Sequence, residues 1–333
     1  MHLCRNWAFP LILGGFVAAS AAGHASSCTS QAEMNSVDRG GLASAGQKLA
    51  TAVVQQDMGT VQSALLPAVA AQWEGIHSAI EQGAADVKGG QPQLNSMYLL
   101  DNTGQTGTGD AQFFCSNADG SMTVTITLSS LPAGRFGVVQ AYVMGGPAPG
   151  STQSIIGQIV FILGQDGGAW KLGGVFIRPA MLGGHDGVWY WQRARELAKS
   201  DSPWAAYFCY QAARYLLLPV DFITSPNLEK LDQELAQVPH APQFPYSVTT
   251  GDRTWKIDGV RFDAALHEPD LGITYETSGV TDPAAQRTEA IAVLGALLKA
   301  QPALRQAFHG LWAYASNNGR VTPVMELPMD KIP

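Results

Sequence analysis

The sequence predicts an α+β protein: helices packed on a curved antiparallel sheet, a helical hairpin, and a second small α+β domain. Three observations carry that prediction. Between Leu42 and Ile80 apolar residues recur every three or four positions, as on amphipathic helices. The run Met122-Thr123-Val124-Thr125-Ile126-Thr127-Leu128 alternates strictly, as a half-buried antiparallel strand does. Helical spacing then returns between 188 and 235, ahead of a proline-rich stretch and a further mixture of strand and helix patterns. Hydrophobic residues make up 46% of the chain and charged residues 14%, enough for packed cores and inconsistent with disorder.

The chain opens with a secretory-signal layout at 1–27. Arg5 precedes an apolar run from Trp7 to Ala22, and small residues follow. The run is too short to read as a permanent transmembrane anchor. Two processing points stay open. Gly23-His24-Ala25 fits a cleavage that frees Ser26. Ala25-Ser26-Ser27-Cys28 resembles the lipobox of bacterial lipoproteins, with Ala25 where Leu is usual, and would make Cys28 a lipidation site. Either way the expected address is exported: periplasmic, associated with the outer membrane, or extracellular. The membrane is reached only through a lipid on Cys28.

Roughly 305 residues remain after the leader, more than one domain usually holds. Residues 28–41 are polar and read as a tether. A domain over 42–182 follows. Leu42, Leu49 and Val53 share one helical face, and Asp57-Met58-Gly59 ends that helix. Val61, Leu65, Val69, Trp73, Ile76 and Ile80 form a second stripe, in which Pro67 demands a kink or a fresh start. Strand patterns then occupy Leu94 to Leu100, Asp110 to Cys115, Met122 to Leu128, Phe136 to Met144 and Ile155 to Leu163. Gln165-Asp166-Gly167-Gly168 turns the chain into a hairpin with Trp170 to Ile177.

This order, ending in Ala169-Trp170-Lys171-Leu172-Gly173-Gly174-Val175-Phe176, resembles the nuclear-transport-factor-like, or cystatin-like cone, superfamily over about residues 45–180. The resemblance implies a fold and a pocket rather than a reaction, because that superfamily contains isomerases, dehydratases and many binding modules.

Residues 183–238 read as a helical region. Tyr190, Ala194, Leu197, Ala206, Tyr210 and Ala213 match the large and small positions of one tetratricopeptide-like helix pair, with the turn at Ser200 to Pro203, packed on the preceding sheet. Ser225-Pro226-Asn227-Leu228 begins another helix. Pro239, Pro242 and Pro245 mark a stiff linker over 239–246. In the last domain, 247–333, Trp255 to Leu266 and Leu271 to Thr277 read as paired strands. Asp282-Pro283 is a helix start, and Ile291, Leu294 and Leu298 form its apolar stripe. Pro302 opens a further helix through Leu304, Phe308, Leu311 and Trp312 to Asn317, and Val321 to Leu327 is a final strand.

Of the four cysteines, Cys4 leaves with the leader. If Cys28 is lipidated, Cys115 and Cys209 are the one pair left, although Cys209 sits in a helical pattern that favours a buried free thiol. The net charge of −7 and the lack of a Lys/Arg cluster give no footprint for nucleic acid.

The densest candidate site is Gly183-Gly184-His185-Asp186-Gly187-Val188-Trp189-Tyr190-Trp191. His185 is a candidate base near neutral pH with Asp186 to orient it, and Trp189, Tyr190 and Trp191 are candidate ligand-binding aromatics. The competing assignment makes Asp186 a helix cap and the aromatics packing residues. Together with Pro219 to Leu228, this block resembles segments of secreted bacterial proteins without an assigned activity. The glycines of Gly104-Gln105-Thr106-Gly107-Thr108-Gly109 lack the following helix of a phosphate loop. His267-Glu268-Pro269-Asp270 reads as a polar turn rather than a ligand set, and His309 as a helix-surface or core-edge residue. No metal and no cofactor are expected. The leading expectation is a non-catalytic protein that binds a small molecule or an envelope protein. The alternative is a small-molecule enzyme of the cone superfamily, an isomerase, dehydratase or hydrolase using His185 and Asp186.

Overall fold

The computed structural model describes residues 26–120, 123–145, 154–277, 279 and 282–333. The expected leader up to Ala25, and Met122, lie outside the described residues. The α+β class holds, with antiparallel sheets and helices in both halves of the chain.

The first half begins with β1 (Ser27–Ser30), which pairs with β2 (Gln91–Asp101). Residues 28–41 are therefore not a tether. Ser30 and Met34 are buried, and Asn35 caps α1 (Ser36–Gln55) by accepting from the Val37 and Asp38 amides. Leu42, Leu49 and Val53 are buried along that helix, as their spacing predicts. Arg135 donates to Asp38 at 2.7 Å and ties α1 to the sheet. Asp57 caps the short α2 (Met58–Ser63). Pro67 makes a fresh start, a 3₁₀ turn (Pro67–Gln72) that leads into α3 (Trp73–Val87).

β3 (Gly109–Ser116) and β4 (Thr123–Leu131) pair with each other and leave the main sheet. The main sheet continues with β5 (Arg135–Gly145), β6 (Ser154–Asp166) and β7 (Ala169–Pro179), in the order β1-β2-β5-β6-β7. Gly167 and Gly168, both at positive φ, form the two-residue turn between β6 and β7. One face of this sheet, carrying Met97, Leu99, Val139, Ala141, Ile159 and Phe161, packs on α1 and α3. Tyr98, Leu100, Val138 and Val160 on the other face pack against the β3–β4 pair. That arrangement follows from the strict alternation in β4. Val124, Ile126 and Leu128 are buried while Thr123 and Thr127 are exposed, so the hairpin has one apolar face to cover and lies on the sheet.

The cysteines differ from expectation. Cys28 in β1 forms a disulfide with Cys115 in β3, joining the two sheets. The sulfur that lipidation would modify is thus already bonded, and Cys115 does not pair with Cys209. Cys209 is a buried free thiol, and burial pushes its pKa up to about 12.

A small ladder of β8 (Met181–Leu182) and β9 (His185–Asp186) leads into α4 (Gly187–Lys199) and α5 (Pro203–Leu217). These two helices form the expected hairpin. β10 (Ile223–Thr224) adds to β4, and Ser225 caps α6 (Pro226–Ala236).

The last half holds β11 (Tyr246–Thr250), β12 (Arg253–Asp263) and β13 (Asp270–Glu276), then α7 (Pro283–Ala300), α8 (Leu304–Ala307), β14 (Gly310–Asn317) and β15 (Arg320–Pro328). Sheet order follows chain order, with β13 and β14 parallel across the α7 crossover. The helix expected from Pro302 to Asn317 ends at Ala307. Leu311, Ala313 and Ala315 point into the core from a strand, where β13 and β15 satisfy its backbone on both sides.

The α4–α5 pair does not have the preceding sheet as its main support. Phe208, Cys209 and Ala212 share one core with Trp255, Ile257, Leu271, Ile273 and Leu311 of the second sheet. The proline-rich stretch 239–246 is not a spacer either: Val238 is buried, and Ala241 and Tyr246 pack into that same core. Apart from Val220 to Thr224, which join β4 and the core beneath it, residues 183–333 therefore build one unit. The first unit touches it where Gln158 donates to the Leu216 carbonyl, Arg178 to the Leu218 carbonyl, and His267 meets Asp86 at 3.0 Å. Among the described residues no helix is long and apolar enough to cross a membrane.

Candidate functional site

β3 and β4 cover only part of the second face of the main sheet. The uncovered part looks toward α4 and the end of α5, and it is polar where its neighbours are apolar. Strand register places Ser96 opposite Gln140 and Tyr142 opposite Gln158. Their side chains form an oriented chain of hydrogen bonds. Ser96 Oγ donates to Gln140 Oε1 (3.2 Å), Gln140 Nε2 to Gln158 Oε1 (3.3 Å), and Gln158 Nε2 to the Leu216 carbonyl (3.0 Å). Asn95 Nδ2 adds a long bond to Gln140 Oε1. Gln158 is buried, and such a group is tolerated when its bonds are made.

Two adjoining clefts run over this surface. The first, about 530 Å³, is lined by Ile155, Gln158, Met181, His185, Asp186 and Trp189. The second, about 660 Å³, is lined by Ser96, Tyr98, Gln140, Trp191, Pro219 and Asn227. Tyr142, Val188 and Leu217 border both, so the two form one groove. Burial raises the Tyr98 and Tyr142 phenols above their ordinary 10.0, which keeps them neutral. Among the described residues Asp186 is the one carboxylate on the lining, and no lysine or arginine is present there.

The sequence candidates divide within this groove. Asp186 is committed to α4, where its carboxylate accepts from the Trp189 amide at 2.8 Å. His185 lies flat against the Trp189 indole, with centroids 3.6 Å apart and planes 6° from parallel. Among the described residues no carboxylate pairs with the His185 ring, so the two adjacent residues do not form an acid–base dyad. Trp189 is 37% exposed and offers its outer surface to the first cleft. Trp191 borders the second cleft. Its Nε1 donates to Glu234 at 2.8 Å, and the Arg195 guanidinium lies 4.4 Å from its ring centroid.

Tyr190 is not on the groove. It is buried, its hydroxyl donates to the Leu182 carbonyl, and burial raises its phenol well above the ordinary range. Successive helix residues point about 100° apart, so a run of three aromatics cannot share one surface.

Gln140, Tyr142 and Gln158 are absent from the sequence candidates. Their signal is a polar side chain on an otherwise apolar strand, Val138-Val139-Gln140-Ala141 and Gln158-Ile159-Val160. His267, Glu268 and Pro269 lie in the connection between β12 and β13 that their composition suggests, while Asp270 is already the first residue of β13. His309 is not on a helix; it precedes β14. The chain matches no family model, no curated protein and no solved structure with which it was compared.

Proposed function

We propose that this chain is an exported, non-catalytic binding protein that takes a neutral, elongated ligand in the groove between the main sheet and the α4–α5 pair. The observation that carries the reading is a lining uncharged but for the helix-capping Asp186: an ordered row of Ser and Gln side chains flanked by Tyr142, Trp189 and Trp191. An anionic ligand would find no lysine or arginine among the described lining residues, and the one carboxylate there, Asp186, already accepts from the Trp189 amide. A short oligosaccharide or peptide segment has the hydrogen-bonding edges that amides recognise and the apolar faces that indoles stack on. The Cys28–Cys115 disulfide is in keeping with an oxidising compartment. The enzyme alternative has less support, because the Asp186 carboxylate serves its helix and, among the described residues, no second carboxylate orients His185.

The test is calorimetric titration of the processed protein with tetrasaccharides of N-acetylglucosamine and of glucose, and with a capped tetra-alanine peptide. Saturable binding of one of these, weakened at least tenfold by both Trp189→Ala and Gln140→Ala, supports the proposal. Absence of binding by all three, or binding indifferent to both substitutions, refutes it. Export is checked separately, by fractionation and sequencing of the processed N-terminus.

A further inference from the structure

In the second sheet the chain brings a nitrogen and two carboxylates together. Asp270 opens β13, His309 immediately precedes β14, and Glu326 lies in β15 opposite Trp312. One ligand-type atom from each of Asp270, His309 and Glu326 lies within 4.8 Å of the other two. Backbone bonds hold the cluster in place: the His309 amide donates to the Pro269 carbonyl, and the Met329 amide donates to the His309 carbonyl.

We propose that Asp270, His309 and Glu326 form a binding site for a divalent transition-metal ion of the zinc class. Four features support it. His309 Nδ1 and Asp270 Oδ1 are within hydrogen-bond distance at 3.0 Å, so the ring nitrogen and the carboxylate oxygen already converge on one point. Trp312 Nε1 donates to the other Asp270 oxygen at 3.2 Å, which turns Oδ1 toward the cluster, as outer partners of metal ligands do. Glu326 Oε1 is buried without a hydrogen-bond partner, and among the described residues no lysine or arginine pairs with it or with Asp270. Finally, the space where the carboxylates converge exists because position 310 is glycine. A Cβ there would stand 2.7 Å from Glu326 Oε1 and 3.1 Å from Asp270 Oδ1.

The mixed nitrogen and oxygen set selects among cations. Calcium and magnesium prefer all-oxygen shells, whereas imidazole with carboxylates suits zinc and its first-row neighbours. Asp270 is fully buried while the His309 side chain is 41% exposed. Three protein ligands with one open side leave coordination positions facing solvent, where a water or an anionic group of a partner would complete the shell.

The experiment uses the full processed chain, stripped by chelator dialysis and titrated with zinc chloride by calorimetry. Cobalt titration read by visible absorbance reports the coordination. The expected result is one equivalent of zinc bound, no competition from excess magnesium or calcium, and at least tenfold weaker binding in both His309→Ala and Glu326→Gln. Both positions are part-exposed, and circular dichroism of the metal-free variants verifies their folding. If His309→Ala fails that check, His309→Gln takes its place. Gly310→Ala provides a further variant in which all three ligands remain, and weaker binding is expected. No zinc binding by the wild type, equal binding by the His309 and Glu326 variants, or full competition by magnesium would overturn the proposal.

Discussion

The Cys28 sulfur is bonded to that of Cys115, 87 positions away, and the bond joins the first strand of the main sheet to the β3–β4 pair lying on it. It closes a span that includes α1, α2, α3 and β2. Cross-linking a span of this length restricts the unfolded chain, and loss of a native disulfide typically costs about 2–5 kcal/mol. Cys28→Ser and Cys115→Ser should each destabilise by about that amount in denaturant titration. Thiol labelling of the processed wild type in denaturant, without reductant, should find one reactive cysteine, Cys209. Three labelled thiols, or an acylated Cys28 by mass spectrometry, would show that the bond does not form.

Asp186 has one visible task, the cap of α4. Asp186→Ala should cost about 0.5–2 kcal/mol, and Asp186→Asn or Asp186→Ser should restore most of it because both side chains can accept from the Trp189 amide. His185→Ala should leave the melting temperature nearly unchanged. Ligand affinity that survives in a stable Asp186→Ser protein would remove this carboxylate from recognition. Affinity lost there would give it a second role.

The buried face of β4 makes a sharp contrast with its exposed face. Val124 is 8% exposed and Thr123 lies open to solvent. Val124→Asp places an unpaired charge between the two sheets and should destabilise by about 3–5 kcal/mol. Thr123→Asp should stay within about 0.5 kcal/mol of wild type. Equal melting curves for the two variants would reverse the facing of the strand.

Glu234 gathers four donors. Arg195 Nε reaches Oε2 at 2.7 Å and Arg195 Nη2 reaches Oε1 at 2.8 Å, while Trp191 Nε1 and the Tyr210 hydroxyl also donate to Oε2. The Arg195 hydrogen bonds lower its pKa below the ordinary 4.5, against a smaller opposing effect of burial. A carboxylate depressed by folding stabilises the protein above its unfolded pKa, and that stabilisation disappears as pH falls through the folded value. Glu234→Gln should therefore be less stable than wild type at neutral pH by about 1 kcal/mol, since the pair is part-exposed. The gap should close below pH about 4. Melting curves from pH 7 to pH 3 check this (a constant gap would mean that the carboxylate charge is irrelevant).

Much of the groove was legible as residues and little of it as a site. His185, Asp186, Trp189 and Trp191 stand out because they are dense in the chain, and density is a local property. Adjacency groups Tyr190 with them, yet helix geometry turns it into the core. Gln140 and Gln158 lie 18 residues apart, and what makes them neighbours is the pairing of β5 with β6.

Local rules explain what the sequence determined by itself. The caps Asp282-Pro283 and Ser225-Pro226, the break after Gln55, the turn at Gly167-Gly168 and the two faces of β4 all depend on residues a few positions apart, whose steric and hydrogen-bonding preferences act within one turn or one strand. Tertiary structure decided the rest. It sent β3 and β4 out of the main sheet because their apolar face needed a partner surface. It made a strand of 310–317 because β13 and β15 supply backbone partners on both sides. It bonded Cys28 to Cys115, and it brought His309 to Asp270 and Glu326. Each of these outcomes joins segments that only become neighbours when the chain closes on itself, and no pattern within one segment encodes which distant surface will bury it.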